Sequence, residues 1–244
     1  MKFHGFPVGM TERLQENRLK NSREWYNAQK EQFKKEIYEP FYALIEDMTE
    51  PMLAIDPRMC LVPRTCVSRI VRDTRRTKDK TTLYRDNLWC FFRRSPKTEP
   101  NAPAFYFEFV PDRFRYGMYF GPWDRWAQDA YRATVLRNPD GLRQALARIR
   151  TMTPELECYR KKYRGVAPAD LDDYYAAKSI HLGYTENGIA PLFDGYFVPS
   201  MRAAFDECAD LYRFLADGAV PEEPEETPSE FLTDLPQNNN QFEW

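Results

Sequence analysis

The sequence predicts an α+β protein with a central, mostly antiparallel sheet flanked by N-terminal and C-terminal helices. Apolar residues recur at three- and four-residue spacing in the first and last thirds of the chain, which is typical of amphipathic helices. The middle third instead carries short aromatic and β-branched runs separated by turn residues. Helices therefore flank the strands rather than alternate with them, which favours α+β over a doubly wound sheet.

The first third of the chain is predicted to be helical. We expect a short helix around Thr11 to Leu19 and a longer one after Asn21 and Ser22, which are good N-cap residues. The longer helix has an apolar stripe of Phe33, Ile37, Phe41, Leu44, Ile45 and Met48. Pro40 interrupts the stripe. Because proline lacks an amide hydrogen and crowds the preceding turn, we expect a kink or two abutting helices there.

The middle third is predicted to form the sheet. Its predicted strands are Cys66–Val71, Leu88–Arg93, Ala104–Val110 and Phe114–Phe120. Pro111 and Asp112 suit the central positions of a type I turn, so the last two strands are expected to form a tight hairpin.

The last third returns to helical spacing. A first helix follows Gly121-Pro122, a second begins at Asn138-Pro139, a third runs from about Ala169 to Lys178, and a fourth spans roughly Ser200 to Leu215. In the first of these helices we expect Trp123 and Trp126 to be core residues. The alternative is a surface on which nucleic-acid bases stack.

The near-neutral total charge, from 35 basic and 37 acidic residues, hides two oppositely charged parts. From Asp217 onward the chain has eight acidic residues and no Lys or Arg, so residues 1–216 carry 35 basic against 29 acidic residues. We therefore expect one α+β domain over residues 1–216. Residues 217–244, acidic and rich in proline, are expected to be a disordered tail.

Several classes of site and location are not expected. Histidines 4 and 181 lack the neighbours of a zinc motif, so we expect no metal. No glycine-rich phosphate loop occurs, and we expect no cofactor. The five cysteines form no C-x-x-C motif, and no export signal is recognisable, which favours free thiols and the cytoplasm. No apolar run approaches the roughly 20 residues that cross a bilayer, so we expect no membrane partner.

Basic residues are concentrated between Arg64 and Lys97, where eleven of them face three acidic residues. An arginine presents a planar fork that matches phosphate or carboxylate oxygens, so several converging arginines form an anion site. The candidate ligand-binding residues are Arg69, Arg72, Asp73, Arg75, Lys78 and Lys80, with Arg23 from the first third of the chain. In the functional interpretation, these residues line a pocket for a small anionic ligand.

Strand geometry limits that interpretation. Side chains alternate along a strand, so Arg69, Asp73 and Arg75 would share one face while Ser68 and Arg72 point to the other. The alternative is a structural ion lattice in which Asp73 and Asp79 pair with neighbouring basic residues. A nucleic-acid surface is the third interpretation, and little binding to nucleic acid is expected.

The residues around this segment have simpler interpretations too. Asn21 caps a helix, Trp25 anchors the core and Arg23 serves the first helical turn, unless Arg23 joins the arginines. Cys66 and Ser68 lie beside basic residues, but neither has a histidine nearby in sequence to activate it as a nucleophile.

Two separated motifs carry a resemblance to a known family. The first is Asn21-Ser22-Arg23-Glu24-Trp25-Tyr26, followed by Pro40-Phe41, and the second is Arg69-x-x-Arg72-Asp73-x-Arg75-x-x-Lys78-Asp79-Lys80-Thr81. In this order they resemble the bacterial and fungal family known as domain of unknown function 2461. The resemblance covers nearly the whole basic part of the chain. It implies a shared α+β fold, and it carries no activity with it.

Three hypotheses of function follow from the sequence. The first is binding of a small anionic ligand that bears a phosphate or carboxylate group, through the Arg69 to Lys80 element. The second is an enzyme in which Asp73 or Asp79 acts as acid or base beside arginines that stabilise negative charge. The third is a nucleic-acid or protein interaction module. A concave cluster favours the first two, whereas a flat basic surface favours the third.

Overall fold

The computed structural model describes residues 3–121 and 124–218, which form an α+β fold. A five-stranded antiparallel sheet has the order β1-β2-β3-β5-β4. Its strands are β1 (Leu88–Arg93), β2 (Ala104–Val110), β3 (Arg113–Phe120), β4 (Pro154–Cys158) and β5 (Ala177–Asn187). The predicted fold class is confirmed.

Helices lie before, between and after the strands. They are α1 (Met10–Lys20), α2 (Arg23–Ala28), α3 (Lys30–Phe33), α4 (Glu39–Ile55), α5 (Pro63–Cys66), α6 (Arg125–Arg137), α7 (Pro139–Ala147), α8 (Asp172–Tyr175), α9 (Phe197–Glu207) and α10 (Ala209–Gly218). Within the two described ranges, no helix combines the length and apolar character required to span a bilayer.

The aromatic core lies between one face of the sheet and the helices. Phe107 of β2 stacks on Phe197 of α9 with ring centroids 5.0 Å apart. Phe105 lies 4.8 Å from Phe205 of the same helix, and Phe41 of α4 lies 6.0 Å from Phe107. All five rings are buried. Burying a side chain of this size contributes about 1.5–3 kcal/mol, so this face holds the sheet to its helices.

The irregularity expected at Pro40 is present as two abutting helical segments. A π-helical turn, Lys34–Tyr38, ends where α4 begins, and Pro40 lies in the first turn of α4. A proline is tolerated there because the first amides of a helix have no partner within it. Ile37 and Phe41 are both fully buried, so the apolar stripe continues through the junction.

The predicted strand Cys66–Val71 is wrong. Pro63 opens one helical turn, α5, which ends at Cys66, and the chain beyond it makes only isolated bridges. A proline favours the first turn of a helix over a strand interior, which explains the helical start. The rest of the segment is extended but lies beside the sheet edge rather than within a ladder.

Two strands, β4 and β5, were not predicted. The predicted helix from Ala169 to Lys178 is wrong beyond Tyr175, where α8 ends and β5 begins two residues later. In β5, Ile180 and Leu182 are buried at a spacing of two, which is the pattern of a strand. The predicted helix from Ser200 to Leu215 is present as two, α9 and α10, which meet at Cys208.

Trp126 is 62% exposed, so its prediction as a core residue is wrong. It lies beside the buried stripe of α6, which contains Ala127, Tyr131 and Val135. Trp123 lies outside the described residues, and so does nearly all of the predicted tail, residues 219–244. The last helix, α10, includes Asp217 and Gly218.

A buried ion pair joins three distant elements. Arg94, directly after β1, donates from Nε to Asp56 at the end of α4 over 2.6 Å, and Tyr212 of α10 donates to the same carboxylate over 2.9 Å. The side chains of Arg94 and Asp56 are 3% and 5% exposed. Burial alone would raise the pKa of Asp56, but the Arg58 amide, Arg94 and Tyr212 lower it more. The carboxylate is therefore charged in the folded protein.

Replacing Asp56 with Ala should lower the free energy of unfolding by roughly 3 kcal/mol, because buried Arg94 Nε and the Tyr212 hydroxyl would both lose their acceptor. Glu99 would still pair with Arg94. Urea denaturation measures this loss. The control is Asp112→Ala at an exposed hairpin pair, which should cost less than about 1 kcal/mol. Because folding lowers the pKa of Asp56, its contribution should be complete above the carboxyl's ordinary pKa and disappear as the pH falls. Equal effects of the two substitutions would contradict a structural role for the pair.

Candidate functional site

The sheet face opposite the core carries side chains that the helices do not cover. In β1, Leu88, Cys90 and Phe92 are buried in the core, while the alternate residues are half-buried on the other face. Cross-strand pairing arranges that face in rows. These rows are Trp89-Glu108-Arg115-Thr185, Phe91-Tyr106-Gly117-Gly183 and Arg93-Ala104-Tyr119-His181. We call it the open face.

A groove of about 330 Å³ lies between β1 and the segment that precedes it along the sheet edge. We call this the arginine groove. The residues that matter chemically in its lining are Ser68, Arg69, Asp73, Arg85, Trp89, Phe91 and Arg93. Arg69 and Asp73 were predicted as site residues, and the structure brings both to this groove.

Backbone hydrogen bonds hold the groove's outer wall against β1. The amide of Ser68 donates to the carbonyl of Trp89 over 2.8 Å, and the amide of Trp89 donates back to Ser68 Oγ over 3.1 Å. Farther along, the amide of Arg85 donates to the carbonyl of Ile70 over 2.9 Å. Ile70 is buried, and its neighbour Arg69 therefore points into the groove, as strand-like alternation requires.

Two arginines of the groove stack on aromatic rings. The guanidinium carbon of Arg85 lies 4.6 Å from the Trp89 ring centroid, and that of Arg93 lies 4.9 Å from the centroid of Phe91. Within residues 3–121 and 124–218, no carboxylate lies at ion-pair distance from Arg69, Arg85 or Arg93. Stacking holds a guanidinium by its face and leaves its N–H edge available to an anion.

The charges of these arginines are poorly compensated. Burial lowers the pKa of Arg85, and repulsion from Arg72 lowers it further, while Glu108 opposes both effects. Burial also lowers the pKa of Arg93. The Nε atom of Arg85 is buried and has no hydrogen-bond partner in the described part of the chain. Since arginine does not lose its proton in proteins, Arg85 stays charged in this half-buried position.

The other predicted arginines are held in local ion pairs. Arg72 Nη1 lies 2.9 Å from Asp79 and also donates to the carbonyl of Thr82 over 3.1 Å. Arg75 donates to both carboxylate oxygens of Asp73 over 2.9 and 2.8 Å. Arg69, Arg72 and Arg75 therefore do not converge on one point. Arg72 and Arg75 are instead paired with Asp79 and Asp73, as in the structural ion lattice that was the alternative to an anion pocket.

Asp79 organises the loop that follows. Its Oδ1 accepts the amide of Thr81 over 2.9 Å, the Thr81 hydroxyl over 2.7 Å and the amide of Thr82 over 3.2 Å. Hydrogen bonds from Thr82, Thr81 and Arg72 hold the pKa of Asp79 far below its ordinary value. In this loop the Asp79 carboxylate is an acceptor for backbone amides, a hydroxyl and a guanidinium, which is a structural role.

The first motif meets the second at this loop. Asn21 ends α1, and its side chain donates to the carbonyl of Thr81 over 2.8 Å and accepts the amide of Leu83 over 2.8 Å. Ser22 is the residue that caps α2, by accepting the amide of Trp25. The two motifs of the sequence are thus one structural unit, with Asn21 as the link.

The remaining predicted site residues, Arg23, Lys78 and Lys80, are exposed. Within the described ranges their side chains make no hydrogen bond or ion pair. Arg23 lies close enough to Tyr84 for its charge to oppose the effect of burial, which raises the pKa of that phenol. None of the three lines the arginine groove.

The two nucleophile candidates are not activated. Burial raises the pKa of the Cys66 thiol to about 11, and the thiol donates to the carbonyl of Cys60. Ser68 Oγ contacts the Trp89 amide, and no histidine lines the groove. Over residues 3–121 and 124–218, no cluster of three or more His, Cys, Asp and Glu is arranged to hold a metal ion.

A second hollow, of about 280 Å³, lies on the open face beside the arginine groove and shares Trp89 and Phe91 with it. We call it the ring hollow. Its other lining residues are Tyr106, Glu108, Arg115, Tyr119 and His181. Sequence reasoning missed it. The sequence feature that indicates this hollow is the alternation of Trp89, Phe91 and Arg93 with apolar residues, which places these three side chains on the face of β1 opposite the core.

Replacing Asp79 with Ala should loosen the loop without unfolding the domain, because two amides and the Arg72 guanidinium would lose one acceptor. Hydrogen exchange of the Thr81 and Thr82 amides should become faster, roughly tenfold. The control Lys78→Ala, at an exposed neighbour, should leave both rates unchanged. Unchanged exchange in Asp79→Ala would show that the carboxylate does not hold the loop.

The similarity of this chain to known sequences lies at the level of a protein family. A search of curated proteins finds no significant match. The family model described as a conserved hypothetical protein, DUF2461, matches residues 10–214. The match includes all five strands, both sequence motifs and the two hollows of the open face. The chain therefore belongs to the DUF2461 family.

Proposed function

We propose that this protein binds a small anionic ligand, bearing a phosphate or carboxylate group, in the arginine groove. The observation that carries the proposal is that Arg69, Arg85 and Arg93 line one groove and lack a carboxylate partner among the described residues. The sequence hypothesis assigned anion binding to the Arg69 to Lys80 element. The proposal retains Arg69 and adds two arginines from β1 and the turn before it.

Electrostatics supports an anion rather than a neutral ligand. Like charges that line one groove repel each other, and partial burial weakens the screening by water. Elsewhere the chain pairs the half-buried Arg72 with Asp79 and the buried Arg94 with Asp56. The groove differs in that aromatic rings position two guanidinium groups without neutralising them. A bound phosphate or carboxylate would accept hydrogen bonds from their free edges.

The ligand should be small. The groove has a volume of about 330 Å³, which accommodates a phosphate group with a modest substituent. A nucleic-acid surface would use the exposed Lys78 and Lys80, which lie outside the groove. Arg94, a further basic residue of the segment, is buried against Asp56 and is unavailable to phosphates.

Phosphate or pyrophosphate should raise the melting temperature more than chloride does at equal ionic strength. A ligand at a hundred times its dissociation constant stabilises the folded state by about 2.7 kcal/mol. For a domain of this size that corresponds to roughly 5–10 °C. Thermal denaturation monitored by circular dichroism measures the increment.

Substitutions identify where the anion binds. Arg69→Ala and Arg93→Ala should each abolish most of the increment, measured from the variant's own melting temperature. Arg125→Ala is the matched control, since Arg125 is 87% exposed on α6 and should keep the full increment. Arg72→Ala should lower stability and keep the increment, because Arg72 faces Asp79. If no anion stabilises the protein beyond chloride, the proposal is wrong.

A further inference from the structure

We infer that the ring hollow is the second half of one composite site and binds a flat aromatic or heteroaromatic ring whose anionic group lies in the arginine groove. This inference rests on the proposed function and names the ligand class. The two hollows share Trp89 and Phe91, so a single ligand can contact both. A phosphorylated ring compound, such as a nucleoside monophosphate, has the required chemistry.

The shape of the ring hollow is produced by the sheet register. Along one row, Phe91 and Tyr106 stand opposite the glycine pair Gly117 and Gly183 on β3 and β5. A Cβ atom on Gly183 would lie 2.9 Å from the His181 ring and 3.0 Å from Tyr106 Oη. A side chain at Gly183 would therefore displace Tyr106 and His181, which pack over this glycine and line the hollow.

The lining of the hollow suits a ring better than a flexible chain. Trp89 and Phe91 are half-buried, and Tyr119 is 39% exposed, so part of each ring remains accessible. The Tyr106 and His181 rings are nearly parallel at 21°, with centroids 5.7 Å apart. Flat rings with a polar edge stack favourably on exposed aromatic side chains of this kind, as bases do in nucleic-acid binding proteins.

Polar atoms at the sides of the hollow can form hydrogen bonds with the edge of a bound ring. Tyr106 Oη lies 2.7 Å from His181 Nε2. Burial raises the pKa of Tyr106 to about 12, so its phenol keeps a proton at neutral pH. Glu108 accepts from Asn87 and from Arg115, and the Arg115 side chain is half exposed. These pairs place donors and acceptors beside the aromatic surface, which is the usual arrangement of a specific small-molecule site.

Charge separates the two halves of the site. The arginine groove has three guanidinium groups without an acid at ion-pair distance in the described ranges, whereas Arg115 in the ring hollow is paired with Glu108. An anionic group is therefore drawn to the groove and an uncharged ring to the hollow. A ligand with both parts gains from both contacts, because joining two fragments removes the entropic cost of binding the second one separately.

Calorimetric titration of the full chain with three probes tests the inference. The probes are inorganic phosphate, a nucleoside, and the corresponding nucleoside monophosphate, all at the same ionic strength. The monophosphate should bind at least about tenfold more tightly than phosphate. Tyr119→Ala should reduce its affinity to that of phosphate and leave phosphate binding unchanged. Gly183→Val, which displaces the Tyr106 and His181 side chains that line the hollow, should do the same.

Matched substitutions separate the two subsites. Tyr196→Ala is the control for Tyr119, since Tyr196 is 78% exposed and lines neither hollow. It should leave the affinity for the monophosphate unchanged. Arg69→Ala should weaken phosphate and monophosphate together. Because Tyr119 is a surface residue, its variant remains informative if Gly183→Val fails to fold.

The outcomes distinguish this inference from the proposed function. If phosphate binds and the monophosphate binds no more tightly, the ring subsite is refuted while the anion site stands. If neither binds, both proposals fail. A further outcome is that a single-stranded oligonucleotide binds far more tightly than the monophosphate, with an affinity that falls with salt as expected for several neutralised phosphates. In that case the open face is a nucleic-acid surface and the inference is wrong.

Discussion

The structure depends on the sheet being covered by helices on one face only. An antiparallel sheet can expose its second face to water, and alternation along each strand then gives the two faces different chemistry. In β1, Phe92 enters the aromatic core while its neighbours Phe91 and Arg93 lie on the open face. A shift of one residue in register would exchange them. The register that buries the core therefore also places the candidate site.

The charged residues show how a basic segment can divide into structural and available groups. Arg94 is buried beside Asp56, which accepts from it and also accepts from the Tyr212 hydroxyl of α10. Arg72 is held by Asp79 at the edge of the same segment. Arg85 and Arg93 contact rings instead of acids. Position relative to carboxylates, rather than the number of positive charges, separates an ion lattice from an anion site.

The link between the two family motifs has a structural explanation. Asn21 joins the end of α1 to the backbone at Thr81 and Leu83, and Asp79 organises the same loop from within. Asp79 and the Thr82 carbonyl of this loop accept from the Arg72 guanidinium, and Arg72 does not line the groove. The motif residues support the wall of the groove, while the residues that line its floor come from β1. The motif residues therefore include the residues that support the groove but only some of those that line it.

Sequence patterns alone predicted the fold class, the three strands from Leu88 to Phe120, the buried stripe through Phe41 and the family of the chain. Each of these depends on local periodicity or on motif residues in order, which neighbouring residues encode. Which arginines are neutralised depends on tertiary contacts, because Arg94 pairs with an acid 38 positions away, whereas Arg93 has no acid at ion-pair distance in the described part of the chain. Tyr106 and His181, 75 positions apart, meet through the pairing of β2, β3 and β5. Such contacts depend on strand register and on the packing of segments that are distant in sequence, and no local sequence pattern encodes them.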